Sequence, residues 1–449
     1  MQLVENSSQI DRNSYLAGLL ETITPNPTNT PEWLKTIHSH ASAVVEELAI
    51  PTTRDEEWRF TDISPLLQVK FEAAKPLNVP LNTLTTLPEA AKSRLVFVNG
   101  IYAPELSAIA DLPEGIFIGN LATALNTASL QNILPEYLAK QPGNQEIFTA
   151  LNTVGLTDAA VVWVSKNKIV ETPIHLLFLS TVKNTPTISQ PRCLIVAEAN
   201  SSVTLVEEYV SAFTSQANIP YCTNSVTEIW LGENARVNHN RVQQESGASF
   251  HIGKTAISQA RNSQYQGIAI NLGGKISRHN LEIFQTGEAT ETTLNGLTMI
   301  AAQQLADTHS LISLNHPHSN SRQLHKCIVD DKARAVFNGK IFVPKRAQLT
   351  DAGQLSRNLL LSPKARVDTK PQLEITADNV KCSHGATVSQ LDSEEIFYLQ
   401  SRGLNANDAR NLLIDAFAVE IINQLPVKSM RKLLARCVAC RADSLEVCR

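Results

Sequence analysis

Between residues 159 and 388 the chain offers short apolar runs and little else that could organise a fold. The first five fall at 159–164, 174–179, 193–197, 203–210 and 225–231, separated by clusters of Asn, Ser, Gly or Lys, and no convincing long helix interrupts the series. Related phrases recur within it: Asn234-Ala235-Arg236-Val237, Lys332-Ala333-Arg334-Ala335-Val336 and Lys364-Ala365-Arg366-Val367, with Gly274-Lys275-Ile276 as a looser copy. A polar corner, a small residue, an outward charge and an inward aliphatic residue are what one turn of a stacked β-coil requires. Sandwiches and barrels also give many short strands, so periodicity alone leaves those open.

The flanks read differently. Thr30 is placed to cap a helix that begins at Pro31, and Trp33, Ile37, Ala41, Val44, Val45 and Leu48 recur at helical spacing until Pro51. His38 and His40 read as exposed polar positions on that helix. Residues 54–60 hold three acids, two arginines and two aromatics, which suits either a partner-docking element or a turn clamped to the core by Trp58 and Phe60. Residues 95–100 form a strand running into an Asn99-Gly100 turn, with Ile101 and Tyr102 beginning the return. Near the C-terminus, Ser393 caps a helix that ends at Gly403, and Asn405 caps a longer one ahead of Pro426. This divides the chain into an N-terminal mixed domain (1–153), a β core (154–391) and a C-terminal helical domain with a cysteine-containing tail (392–449).

Composition narrows the partners and the compartment. The balance of 39 basic and 43 acidic residues is close to neutral, and no Lys/Arg run forms a nucleic-acid track, so protein partners are expected. Seven cysteines leave at least one unpaired and make no secreted disulfide framework at this length. Residues 1–9 lack the basic and apolar regions of a signal peptide, and no apolar run approaches the roughly 20 residues of a membrane span. The expectation is a cytoplasmic protein without membrane contact.

The stretch Lys381-Cys382-Ser383-His384-Gly385-Ala386-Thr387 carries the most pointed chemistry. On an extended strand Cys382 and His384 share a face, and a sulfur beside an imidazole suits iron, zinc or copper(I). Two ligands close no site, so this is half of one completed elsewhere, or a buried Cys beside a satisfied His. Other candidates are weaker. His309, His316, His318 and His325 crowd near Cys327 without zinc-finger spacing. Asp330-Asp331 is a single acidic pair of the kind β-helix carbohydrate enzymes cluster in a groove. Gly273-Gly274-Lys275 lacks the spacing of a phosphate loop. Cys437-Val438-Ala439-Cys440, with Cys448, could hold metal or cycle as a dithiol, or sit incidentally on an exposed terminal helix.

The Cys382 stretch is framed by Asp351-Ala352-Gly353-Gln354, Pro371-Gln372-Leu373-Glu374-Ile375 and Phe397-Tyr398-Leu399-Gln400-Ser401-Arg402-Gly403, with Glu56-Glu57-Trp58-Arg59-Phe60-Thr61 near the start. Together these resemble the SufB/SufD family of iron-sulfur cluster assembly scaffolds, most densely over residues 319–426. The SufD branch is favoured because SufB-like chains carry a cysteine motif in the N-terminal half, whereas no cysteine precedes Cys193 here. The resemblance implies a mainly β fold, a right-handed parallel β-helix flanked by helical domains. It implies a non-enzymatic scaffold that pairs through its β-helix with a SufB-like paralogue, or with itself when alone, and that contributes to iron acquisition. A SufC-like ABC ATPase would dock on the C-terminal helices, around Phe397, Tyr398, Arg402, Gly403, Leu412 and Phe417. A transient iron-sulfur cluster or iron would form at the subunit interface with no permanently bound cofactor. His384 matches the family's histidine ligand there, and Cys382 stands beside it. Two other readings are a secreted β-helix carbohydrate enzyme using Asp330 and Asp331, and a plain homodimeric adaptor in which Cys382 and His384 are merely packed.

Overall fold

The corners decide the architecture. Asn167, Asn200, Asn234, Asn262, Ala289, His318 and Leu349 all adopt positive φ, the left-handed conformation that Asn tolerates better than most residues. The next residue of most of these corners is small and buried: Ser201, Ala235, Ser263, Thr290, Ser319 and Thr350. Successive corners stack directly. Asn234 donates through its amide to Asn200 (2.9 Å), and Asn200 to Asn167 (2.8 Å). The structure, a computed structural model, describes residues 11–440 except 26–29, 81–83, 85, 144, 213–218 and 246.

Between corners the chain runs alternately through two parallel sheets, giving a mainly β solenoid of about seven turns with helices at both ends of the chain, as the fold-class reading required. One sheet stacks Ala160–Val164, Arg192–Ala197, Tyr221–Leu231, Phe250–Gln259, Ile276–Gln285, Leu305–Ser313, Arg334–Val343 and Arg366–Ile375. The other stacks Ile174–Ser180, Ser202–Ser211, Arg236–Gln244, Gln264–Asn271, Glu291–Ile300, Asn320–Val329, Asp351–Leu360 and Lys381–Gln390. Register is regular: Glu291 pairs with Asn320, Asn320 with Asp351 and Asp351 with Lys381. The recurrent phrase serves both sheets, since Asn234-Ala235-Arg236 opens a strand of the second and Lys332-Ala333-Arg334 a strand of the first.

Alternation then sorts side chains between lumen and exterior. Val203, Leu205, Ile229, Val237, Ile257, Leu281, Ile283, Leu294, Ile312 and Ile341 meet inside. The first sheet's outer face is covered near its start by N-terminal elements. There Leu16, Leu19, Val45, Trp58, Phe71, Phe148 and Leu151 pack on Cys222, Phe250, Ile252 and Ile276. The second sheet's outer face is covered by the C-terminal helices Ala406–Ile422 and Lys428–Cys440. Their Ile414, Ala418, Ile421, Met430 and Leu434 pack on Val206, Val242, Ile268, Ile270, Leu297 and Ile328.

At the N-terminal end, Ser93–Val98 turns through Asn99 (φ 53°) and Gly100 (φ 82°) into Ile101–Tyr102, the hairpin read from the sequence. Ser93–Val98 also joins the second sheet, while Ile116–Asn120 lies antiparallel to Ala160–Val164 on the first. Local details depart from expectation by one residue. Pro31 occupies the cap of Glu32–Glu47, and the Asp392 carboxylate, accepting from the Glu394 N–H, caps Ser393–Ser401 in place of Ser393. Asn405 caps Ala406–Ile422 as read, and Gly403 takes φ 98°. His40 is exposed, whereas His38 is half-buried with Nε2 3.0 Å from the Leu156 carbonyl oxygen; burial lowers its pKa.

Candidate functional site

The solenoid ends on an open strand. Lys381–Gln390 pairs with Asp351–Leu360 on one side, and among the described residues nothing pairs with its other edge. Most of its side chains are exposed, in contrast to the buried strands beneath. Parallel register stacks Cys382 over Ala352 and His384 over Gln354. Ala352 belongs to the lumen core and Gln354 is buried, so Cys382 and His384 continue two inward ladders onto the last, uncovered turn.

Their environments differ. Cys382 is half-buried against the lumen core, and burial raises its thiol pKa, with Asp351 adding to the rise and a backbone hydrogen bond from Ala352 opposing it. The thiol is therefore protonated at neutral pH and becomes a good ligand only when a metal or a cationic partner draws the proton off. His384 is exposed, and its ring meets no hydrogen-bond partner among the described residues. Beneath it runs an amide ladder. Gln354 Nε2 donates to Gln323 Oε1 (2.7 Å), and Gln323 Nε2 donates to Ser310 Oγ (2.8 Å). Gly339 makes room for it, because a Cβ there would lie 2.1 Å from Gln354 Nε2. Gln354 Oε1 is buried without a partner.

Deeper in the lumen lies a polar network that the sequence reading missed. Glu207 accepts from Thr227 (2.9 Å) and Tyr209 (2.7 Å) and pairs with His239 Nε2 (2.9 Å), whose Nδ1 meets the Tyr265 hydroxyl at 3.0 Å. Arg241 contacts His251, which pairs with Glu245. Burial opposes ionisation of Glu207, but His239 and Arg241 overcome it and hold the carboxyl at about 2. The trace of this network was the alternation His239-x-Arg241-x-Gln243, which continues the parity of the inward Ala235 and Val237 just before it.

A second network ties the N-terminal motif to the solenoid. Arg278 lies over the buried Trp58 ring at 3.8 Å and pairs with Asp307, which accepts from Thr61 Oγ1 (2.5 Å). His309 bridges Asp307 and Glu57, at 3.0 Å from each, and Lys370 pairs with Glu56 at 2.6 Å. Burial opposes both charges, yet Asp307 is held at about 2 chiefly by Arg278 and then His309, while Asp307 raises His309. Of the two readings of residues 54–60, the geometry shows the clamp.

The remaining candidates disperse. His309 is on the outer face of the first sheet, His316 and His318 are in a corner, and His325 is in the lumen stacked on Phe337 at 4.5 Å. Among the described residues no group of three or more His, Cys, Asp or Glu is placed to hold a metal ion. Asp331 is a corner residue with φ 51°, and Asp330 beside it lies 3.9 Å from Arg410, so they form no acidic groove. Gly274 makes a turn with φ 91°. Cys437 is buried under the C-terminal helices and not on an exposed face; Cys448 and the side chain of Cys440 lie outside the described residues. On the C-terminal helices Phe397, Tyr398 and Leu412 are exposed, at 72%, 57% and 48%, and Arg402 stacks on Tyr398. Phe417 faces the solenoid, its ring 4.2 Å from Lys326 Nζ, while Gly403 follows the Arg402 cap in the left-handed conformation.

Comparison with known proteins agrees with this architecture. Residues 178–417 match the family model "SUF system FeS cluster assembly, SufBD core domain", and residues 22–176 match "SufBD protein N-terminal region". The chain is 52% identical over 407 residues to the iron-sulfur cluster assembly SufBD family protein slr0076 of Synechocystis, covering 89% of each chain. It is 33% identical to the iron-sulfur cluster assembly protein SufD of Escherichia coli, over 86% of this chain and 88% of that one. It is 34% identical to the chloroplastic protein ABCI7 of Arabidopsis thaliana, over 92% and 87%. No described helix is long and apolar enough to cross a membrane. The chain belongs to the SufBD family of iron-sulfur cluster assembly proteins, and SufD proteins are among its homologues.

Proposed function

We propose that this chain is a non-enzymatic scaffold that builds a transient iron-sulfur cluster between its own open solenoid end and a SufB-like partner. The observation that carries this reading is the terminal strand, where Cys382 and His384 stand side by side next to an unpaired edge. An exposed edge recruits another strand, and two ligands require more from elsewhere; one event, docking of a partner end, answers both needs. Without a SufB-like partner the same edge can pair with a second copy of this chain. A cluster held by few ligands at a subunit boundary is also readily surrendered to an acceptor, and of the two residues His384 is the firmer candidate for a ligand. In this reading the cluster is cargo, no cofactor stays bound, and iron captured at this edge contributes to iron acquisition. The thiols of Cys193, Cys222, Cys327 and Cys382 are free, which suits a reducing compartment such as the cytoplasm.

The ATPase role falls to the other exposed surface. Phe397, Tyr398 and Leu412 expose apolar surface on the C-terminal helices, which suits a SufC-like ABC ATPase. Those helices are fastened to the last turns of the solenoid: Glu420 pairs with Lys326 and lies 3.6 Å from Arg357, and Arg410 donates to the Leu361 carbonyl (2.9 Å). Closure of an ATPase pair would pull on these anchors and change access to Cys382 and His384.

The test is iron and acid-labile sulfide per complex after anaerobic co-expression with SufB-type and SufC-type partners. A His384→Ala complex that assembles normally with markedly less cluster fits the reading. Unchanged cluster content removes His384 from the site.

A further inference from the structure

We propose that Gln354 is a positioning residue for His384: its free carbonyl accepts one ring N–H and so presents the other ring nitrogen, unprotonated, at the open edge. The inference rests on the ligand role proposed for His384 and adds the group that orients it. It comes from an unfinished hydrogen-bond chain. Gln354 donates to Gln323 on the turn beneath, and Gln323 donates to Ser310 of the other sheet, which leaves Gln354 Oε1 as the open acceptor at the top. A donor for it must come from the rung above. Register makes that rung His384.

The observations converge on this carbonyl. Gln354 is 3% exposed, its Oε1 is buried and unbonded, and an unmatched buried acceptor costs about 1–3 kcal/mol. Turned over by itself, the amide would set its carbonyl against the Gln323 carbonyl that Nε2 now meets. His384 sits directly above on the same face with an unbonded, exposed ring, so a rotation about its side-chain torsions turns one ring nitrogen inward. A carbonyl accepts and does not donate, so the inward nitrogen carries the proton and the outward one is left with its lone pair. Metal-binding histidines generally need such a partner on the second nitrogen. The charged pair Asp351–Arg322 (2.9 Å) belongs to the opposite face of the same strands and does not compete.

The experiment uses the full chain with 15N-labelled histidine, His384 being assigned by its loss in His384→Ala. The wild type should show one neutral tautomer of His384, Gln354→Leu a mixture, and Gln354→Glu, which keeps the acceptor, a single tautomer again. Equal tautomer populations in all three overturn the proposal. Should the leucine variant fail to fold, the wild type and Gln354→Glu decide: a mixture of tautomers in either overturns the proposal. In the co-expressed complex, Gln354→Leu should speed cluster loss to a chelator about tenfold, and an unchanged rate counts against it. If His384→Ala leaves cluster content unaltered, the ligand reading fails; if it lowers the content while the tautomer ignores residue 354, this inference alone fails.

Discussion

Replacing Asp307 by Asn keeps its shape and removes its charge, and the contacts around the carboxyl determine the cost. In the folded chain Asp307 is fully buried between Arg278, His309 and Thr61, and its carboxyl is held at about 2 against an ordinary 3.8. That depression alone corresponds to about 2 kcal/mol of stabilisation at neutral pH. Because the folded value is the lower one, this contribution is complete above about pH 4 and is lost as the pH falls toward 2. The substitution costs more than this. Arg278, 2% exposed beneath Trp58, loses the carboxylate it pairs with, and removing one partner of a buried pair costs about 3–5 kcal/mol. The loss should appear locally, in the segment the network fastens. Amide exchange at Trp58 and Thr61, whose N–H groups donate to Asp55 and Trp58 carbonyls, reports its opening. Exchange in Asp307→Asn should accelerate at least a hundredfold, since about 3 kcal/mol is two decades, and Asp307→Asn with Arg278→Met should recover much of it. Unaccelerated exchange in the single variant would refute the clamp as the source of order in this motif.

Gly296→Ala places a Cβ 2.2 Å from His325 Nδ1 in a filled lumen, so the urea midpoint should fall by the equivalent of about 1–3 kcal/mol; an unmoved midpoint means that His325 can shift. Burial lowers His325 to about 3 and His279 in the same direction, so the unfolded chain gains protons first and stability declines as pH drops below about 6.5. His325→Gln should flatten that decline between pH 7 and 5, measured by urea unfolding at each pH. Because Asp307 outweighs burial and leaves His309 with a raised pKa, its bridge to Glu57 weakens as pH rises through that value, and exchange at Trp58 should quicken on the alkaline side. Leu412→Glu changes an exposed side chain, so thermal stability should hold within about 0.5 kcal/mol while calorimetric binding of the ATPase falls; unaltered binding removes this face from the interface.

The solenoid was legible because its corners leave local marks. Asn234 must accept a left-handed turn, Ala235 must be small enough to be buried, and Arg236 and Val237 must face opposite ways, all within four adjacent letters. Cys382 and His384 were legible as a same-face pair for the same reason, parity on one strand. The buried networks were not, because their partners are remote in sequence. Glu57 meets His309 across 252 residues, and Glu207 meets His239 only once the register between turns is fixed. The four histidines near residue 316 looked like a cluster because sequence proximity hides which sheet and which face each one takes. Cys437 looked incidental because its burial depends on where the last helix docks. Gln354 was visible as part of a motif, but its unsatisfied carbonyl exists only after Gln323 and Gly339 have been placed beside it.

The asymmetry of the two solenoid ends has a consequence for how far assembly can go. The early end finishes in short antiparallel strands, Ile101–Tyr102 and Ile116–Asn120, which offer little template for further pairing, while the late end finishes in the ten-residue parallel strand Lys381–Gln390. A body with two sticky ends adds head to tail without limit and becomes a fibre; a body with one can only meet another such end and stop. If docking goes through the late end, as proposed, the same construction limits an assembly to two solenoids and works against head-to-tail propagation.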